Sequence, residues 1–287
     1  MKGRIIEDMS LFLLKEGYIL KGLNSTFDIL ARKGDKTLLV KVVQDANSLN
    51  ASQIGQMKSI ASYISGSPLI IAETASYALE GNVVYSRYGV VTVTLSTFKE
   101  CVRKSSPFIR ASKAGLTASV DGIRLRGARE KEGYSMNSLA KRIGVSNRMI
   151  AKYENEDAEI NVNHALRIYN LFGEDVFNRI DIFSRPSMDC IEVSSDVSMK
   201  YASLGFNVFE AARKPFEIIS RKDNEVILTS VGDIVNKDTM SLARIINAEN
   251  LLVFKSKKPK TESPSISKED FLEFEEANEI IKFLKEF

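Results

Sequence analysis

SLAKRIGVSNRMIAKYENE, residues 138–156, decides how the middle of this chain is read. Apolar residues recur with helical spacing as far as Ile143, the rhythm stops at Gly144, and it restarts at once. Ser135 is placed to cap a helix over MNSLAKRI. Gly144 can end it in the left-handed backbone that glycine accepts, and Ser146 can cap the next helix, NRMIAKYEN. Helices joined by so short a turn cross steeply instead of lying antiparallel. Leu139, Ala140, Ile143, Val145, Ile150 and Tyr153 have the spacing to close a small core, with Ala140 small where the helices approach. IRLRGAREKEG supplies a helix before this pair, ended by Gly133. NVNHALRIYNLFG and EDVFNRIDIF supply a fourth and a fifth after it.

Ser135, Leu139-Ala140, Ile143-Gly144-Val145-Ser146, Ile150 and Tyr153-Glu154 together resemble the lambda-repressor/Cro-type (XRE-type) helix-turn-helix. The resemblance implies a DNA-binding head, with Arg129 and Glu154 as its internal ion pair. A recognition helix presents its N-terminal residues to base edges in the major groove. On the helix after Ser146, the residues Asn147, Arg148, Ala151 and Lys152 point away from the core. Asn suits adenine, and Arg or Lys suits guanine N7 and O6. Ser146, Asn155 and the amides opening the preceding helix are expected at phosphates. Lys141 and Arg142 are further DNA-binding candidates, with an ordinary solvated face as the competing reading. Family members often carry glutamine at the first residue of that preceding helix; Met136 stands there instead.

The 287 residues suffice for two or three cores. With 44% hydrophobic and 27% charged residues the chain reads as globular. Its net charge of +3 says little, but the distribution is uneven. Residues 121–155 hold eight Lys/Arg against four acids, whereas residues 262–287 hold eight acids against three lysines. Cys101 and Cys190 form neither a metal box nor a disulfide framework. A single histidine, His164, removes most histidine-based catalysis and most zinc sites. No run reaches the ~18 apolar residues of a membrane span, and no signal-peptide core is visible. The expectation is a cytoplasmic protein with no cofactor, no bound metal and no membrane partner.

The flanks repeat one another. Residues 4–16 are amphipathic and end at Gly17. YILKGL, FDILAR and TLLVKVV follow as strands, the last two forming a hairpin around KGDK. A helix from about Ser52 to Ile64 and the buried strand PLIIAE complete the unit, and VVYSRYGVVTV and a helix over 96–104 come after it. Residues 205–254 fall on the same scheme: Gly205-Phe206 on Gly17-Tyr18, Phe216-Glu217-Ile218-Ile219 on Phe27-Asp28-Ile29-Leu30, and Arg221-Lys222 on Arg32-Lys33. A repeated unit on both sides of the basic segment governs the architecture. Residues 105–121, 184–200 and 255–265 read as joints. The final EDFLEFEEANEIIKFLKEF places Phe271, Phe274, Ile281 and Leu284 on one helical face.

Asp28 and Lys41, in D-x12-K spacing, with Glu7 on the first helix, resemble the PD-(D/E)xK nuclease-like fold. That family gathers Mg²⁺ between acids of the hairpin, and its lysine positions the attacking water. Here the second acid, two residues before Lys41, is Leu39. In the second copy Glu217 matches Asp28, but Leu228 and Ser230 replace the acid and the lysine. One acid alone holds a hard cation poorly, although Glu73 or Asp45 could substitute.

The order of lobe, head and lobe resembles archaeal proteins classed as HTH-type transcriptional regulators. The expected fold is multidomain: a nuclease-like α/β domain over 1–108, an all-α five-helix lambda-repressor-like domain over 109–183, and a second α/β domain with a terminal helix over 184–287. The expected function is sequence-specific binding of double-stranded DNA in transcriptional regulation, without enzymatic activity. The expected assembly is a homodimer formed through the lobes or, second, the acidic terminal helix. Two alternatives stay open: a metal-dependent DNA nuclease working through Glu7, Asp28 and Lys41, and an interaction module that uses the helix-turn-helix as scaffold.

Overall fold

In the computed structural model the amphipathic N-terminal stretch forms α1 (Lys2–Lys15), burying Ile5, Met9, Phe12 and Leu13. Gly17, at φ 81°, turns the chain into β1 (Ile19–Gly22), β2 (Ile29–Lys33) and β3 (Lys36–Val42). Asn50 caps α2 (Ala51–Tyr63) in a full capping box with Gln53, and β4 (Ser67–Ile71) follows, buried along its whole length. Strands β1, β2 and β3 are antiparallel and β3 pairs with β4 in parallel, so α2 is the crossover helix. The residues described are 2–156, 158–188, 193–212, 215–261 and 263–286. They fall into two compact units: Met1–Ile71 together with Phe183–Phe287, and Ala72–Ile182. Cys190 lies outside the described residues.

The second unit opens with β5 (Thr74–Ala75) and β6 (Tyr77–Ala78), then β7 (Val83–Arg87), β8 (Val90–Val93) and α3 (Leu95–Val102). Next come β9 (Ile109–Ser112) and β10 (Gly115–Val120), then the helices α4 (Gly122–Lys131), α5 (Met136–Ile143) and α6 (Asn147–Asn155). After them, β11 (Ala158–Asn161) leads into α7 (Val162–Phe172). Strand β7 pairs with β8 antiparallel and with β9 in parallel, while β10 pairs antiparallel with β9 and β11.

Two readings of this unit differ from the sequence-based expectation. The stretch 105–121 is not a bare joint: Leu116, Ala118 and Val120 alternate with Thr117 and Ser119, the period of a half-buried strand. The helical head therefore carries strands and is not all-α. The fifth helix is also missing from residues 174–183. Gly173 ends α7 at φ 76°, and the chain then lies along β10, with Asp121 N–H donating to Val176 O and Asn178 N–H to Ser119 O. Backbone pairing on that strand outcompetes a helix whose only support would be its own period.

The first unit resumes with α8 (Asp196–Ser203), β12 (Asn207–Glu210), β13 (Ile218–Lys222) and β14 (Glu225–Val231). Then follow α9 (Lys237–Ile246), β15 (Glu249–Phe254), β16 (Ser265–Ser267), α10 (Lys268–Glu273) and α11 (Ala277–Lys285). The register repeats that of the first segment. Ile19 stands opposite Arg32 and Asn207 opposite Arg221; Leu39 lies beside Pro68 and Leu228 beside Asn250. Lys33 Nζ donates to Glu16 O and Lys222 Nζ to Leu204 O, each closing the turn at its lobe's glycine.

The two lobes share one apolar core. Phe27, Leu30, Leu39, Met57, Ile60 and Tyr63 of the first pack with Phe209, Phe216, Ile219, Leu228, Leu242 and Ala243 of the second. Arg32 Nη1 donates to Ile245 O at the end of α9 (3.2 Å), and Arg221 Nη1 to Tyr63 O at the end of α2 (3.1 Å). These apolar faces of the two lobes are thus covered inside one chain. The terminal stretch is likewise used locally. It breaks into α10 and α11 at Phe274, and Phe271, Ile280 and Leu284 are buried in the second lobe's own core. Leu39→Ala is expected to lower the unfolding free energy by about 2–5 kcal/mol in a urea titration, and Leu39→Glu, which restores the nuclease acid, by at least as much.

Candidate nucleic-acid interface

The head is built as a clamp around a buried ion pair. Ser135 Oγ accepts from Ser138 N at 3.0 Å and starts α5. Gly144, at φ 81°, receives the end of α5, with its N–H donating to Ala140 O. Ser146 Oγ accepts from Met149 N at 3.2 Å and starts α6. Leu139, Ala140, Ile143, Ile150 and Tyr153 are buried, together with Leu125, Ala118, Val120, Ala165, Ile168 and Phe177. Gly122 is required at the start of α4, because a Cβ there would come within 2.7 Å of Tyr153 O.

Arg129 Nε donates to Glu154 Oε1 at 2.5 Å and Nη2 to Oε2 at 3.0 Å, while Nη1 holds Tyr134 O at 2.9 Å. The Glu154 hydrogen bonds hold the guanidinium above its ordinary pKa against the opposing effect of burial. This bidentate pair ties α6 to α4 and sets the helix's rotation. Arg167 Nη1 donates to Ile143 O at 2.6 Å, covering the last carbonyls of α5. Asp121 caps α4; backbone N–H donation from Arg124, with the Arg124 side chain, holds its carboxyl below the usual range.

With one face of α6 locked, the other is defined. Ser146, Asn147, Arg148, Lys152 and Asn155 are exposed and Ala151 is half-buried between them. Among the described residues, Asn147, Arg148 and Lys152 spend no side-chain donor on a protein partner. Lys141 and Arg142 are exposed on α5, where Arg142 stacks over the Tyr134 ring at 5.4 Å. Asn155 is already engaged: Arg126 Nη2 donates to its Oδ1 at 3.0 Å. Sequence reasoning counted Arg126 only among the basic residues. Its Nε also reaches Glu154 Oε2 at 3.4 Å, and the three-residue step from Arg126 to Arg129 was the available signal.

The nuclease-like positions have a different fate. Asp28 is 2% exposed. Its Oδ2 accepts from Val42 N at 2.7 Å, and its Oδ1 pairs with Lys2 Nζ at 2.9 Å and Lys41 Nζ at 3.5 Å. Lys41 Nζ also donates to Ser25 O at 2.9 Å. Leu39 occupies the second acid's position and is fully buried in the shared core. Glu7 is exposed, and the Asp45 carboxylate caps the turn at Ala46–Ser48. The cavity at Ser25, Thr26 and Lys41 measures about 20 Å³, room for roughly one water. In the second lobe Glu217 repeats the bond of Asp28, accepting from Val231 N at 3.1 Å. Among the described residues no group of three or more His, Cys, Asp or Glu could hold a metal ion. The donor set does not fit the Mg²⁺ that the nuclease fold implies, since ammonium groups and a backbone amide take the lone pairs of the acid.

Residues 2–107 match the PD-(D/E)XK superfamily domain, and residues 125–176 match the helix-turn-helix family. The chain is 30% identical over 305 residues to an Archaeoglobus fulgidus protein named "Putative HTH-type transcriptional regulatory protein", covering 100% of this chain and 98% of that one. A Methanosarcina mazei protein of the same name is 33% identical over 228 residues, covering 72% of this chain and 70% of the relative. One from Methanocaldococcus jannaschii is 29% identical over 282 residues, covering 91% and 89%. No solved structure matches the chain.

Replacing Glu154 by alanine strands Arg129 in the core and is expected to cost about 3–5 kcal/mol, read as an early loss of helical signal on heating. Asp121→Ala is expected to cost about 1 kcal/mol. Because the folded-state pKa of Asp121 is depressed, that contribution is present above the ordinary aspartate range and is lost as the pH falls below that range, through the lowered folded-state value. The two proteins should therefore converge in acid titrations of stability.

Proposed function

The chain belongs to this family of helix-turn-helix regulatory proteins, and on that premise we propose that it is a DNA-binding transcriptional regulator that lays α6 in the major groove. One observation carries the reading: Asn147, Arg148 and Lys152 stand exposed and unspent on a helix whose opposite face is clamped by Arg129 and Glu154. Arg148 and Lys152 suit guanine edges and Asn147 suits adenine. Ser146, Lys141 and Arg142 take phosphates, and Ala151 leaves room for a thymine methyl. Asn155 reaches a phosphate together with Arg126, which already holds it.

One head covers a few base pairs, so useful affinity needs two heads on half-sites about one turn apart. We read the working species as a homodimer on DNA. Since the lobes' apolar faces are spent on each other, the second chain joins through another surface. Light scattering with a palindromic operator is expected to give twice the 32.0 kDa chain mass plus the DNA. The cytoplasm is the matching compartment for such a regulator; among the described residues no helix is long and apolar enough to cross a membrane.

The nuclease-like lobes serve this function as a scaffold without cutting. Supercoiled plasmid incubated with Mg²⁺ or Mn²⁺ is expected to stay intact with both the wild type and Asp28→Ala. Metal-dependent nicking lost in the mutant would establish the nuclease reading instead. For the reading head, Arg148→Ala and Lys152→Ala are each expected to weaken operator binding by about 10–100-fold in fluorescence anisotropy. They should also relax the preference for guanine at the contacted positions, while the salt slope set by counterion release from the phosphates stays as in the wild type. Unchanged affinity in both variants would leave the helix-turn-helix as a mere scaffold.

A further inference from the structure

The repeat brings two equivalent arginines to one groove. Arg32 and Arg221 stand at matching register positions in the two lobes, and both line a cavity of about 490 Å³ together with Arg185. Ser65 and Asn247, also matched, flank it as the left-handed residues after α2 and α9, at φ 52° and 55°. The polar side chains of the lining are otherwise neutral except for Asp35.

A structural duty accounts for only part of each guanidinium. Arg32 spends Nε on Gly34 O and Nη1 on Ile245 O. Arg221 spends Nε on Asp223 O and Nη1 on Tyr63 O and Ser65 Oγ. Arg185 spends one Nη2 bond on Asp35 O. Among the described residues none of the three pairs with a carboxylate, and the Nη2 groups of Arg32 and Arg221 have no protein acceptor. Like charges gathered in one groove repel, and a compact set of guanidiniums is suited to the bidentate binding of phosphate oxygens.

We propose that this groove, at the junction of the two lobes, binds a nucleotide-sized ligand carrying two or more phosphate charges. Arg32 and Arg221 grip it from either side and Arg185 closes over it. The volume lies within the ~300–1,000 Å³ of small-molecule sites. Most of the lining side chains are polar, with Ile64, Val226 and Ile246 the apolar ones, so the anionic groups, not a base or a lipid tail, are the main handle. The occupant touches both halves of the repeat at once, so it would bind the mated form of the lobes and stabilise it by mass action.

Calorimetric titration of the full chain at low salt, with pyrophosphate, ATP and a short DNA duplex in separate runs, tests this. The expected result is stoichiometric binding of pyrophosphate or ATP. Arg185→Ala should weaken it by about tenfold or more, and Asp35→Asn, which removes the one carboxylate, should strengthen it. Arg185 makes a single exposed bond, so its alanine variant is expected to melt as the wild type does and to report on the site alone. Arg148→Ala combined with Lys152→Ala should leave pyrophosphate binding unchanged, which separates this groove from the DNA-reading helix. No heat with pyrophosphate or ATP, affinities untouched by Arg185→Ala, or a response of this variant confined to the duplex would each overturn the proposal.

Discussion

Two arginines, one from each lobe, reach over to hold the last carbonyls of the other lobe's crossover helix. Arg32 takes Ile245 O and Arg221 takes Tyr63 O. A cation at a helix C-terminus meets both unpaired acceptors and the negative end of the helix dipole. Between the two clasps lies the shared core of Leu39, Ile60, Tyr63, Leu228 and Leu242. Apolar burial supplies most of the attraction, and the arginines give it a register, because each carbonyl is met only when the two hairpins face one another correctly. Neither hairpin unit could leave that apolar face in water without cost.

The same face explains what became of the nuclease-like site. Side chains two apart on a strand point the same way, so the position two before Lys41 belongs to a surface that the first lobe presents to the second. A carboxylate there would be carried into a dry core without a partner, which is costly. Leucine at 39 and at 228 turns the surface into packing. The acids left behind, Asp28 and Glu217, keep a role that needs no metal: each accepts the backbone N–H of the neighbouring strand, at Val42 and Val231.

In the head, the buried pair Arg129–Glu154 divides labour in a similar way. It consumes the charges that face inward and orients α6, and among the described residues the outward Arg148 and Lys152 spend no side-chain donor on a protein partner. Rigidity on one face and unspent donors on the other are the conditions for reading base edges with a short helix.

Local signals were strong enough to be read directly. The Ser135, Gly144 and Ser146 punctuation set α5 and α6, the KGDK turn set the β2–β3 hairpin, and the register shared by residues 27–39 and 216–228 is visible as aligned letters. Each depends on contacts a few residues apart, where backbone geometry and side-chain type decide together. Three features were settled only in three dimensions. The stretch 174–183 lost its helix to pairing along β10, strand β10 found its partner β11 beyond α6, and Arg126 was drawn to Glu154 and Asn155. The mating of the lobes within one chain is the fourth. An apolar face written in sequence states that something must cover it, but which surface does so depends on shape and on carbonyls brought within reach of Arg32 and Arg221 from more than a hundred residues away.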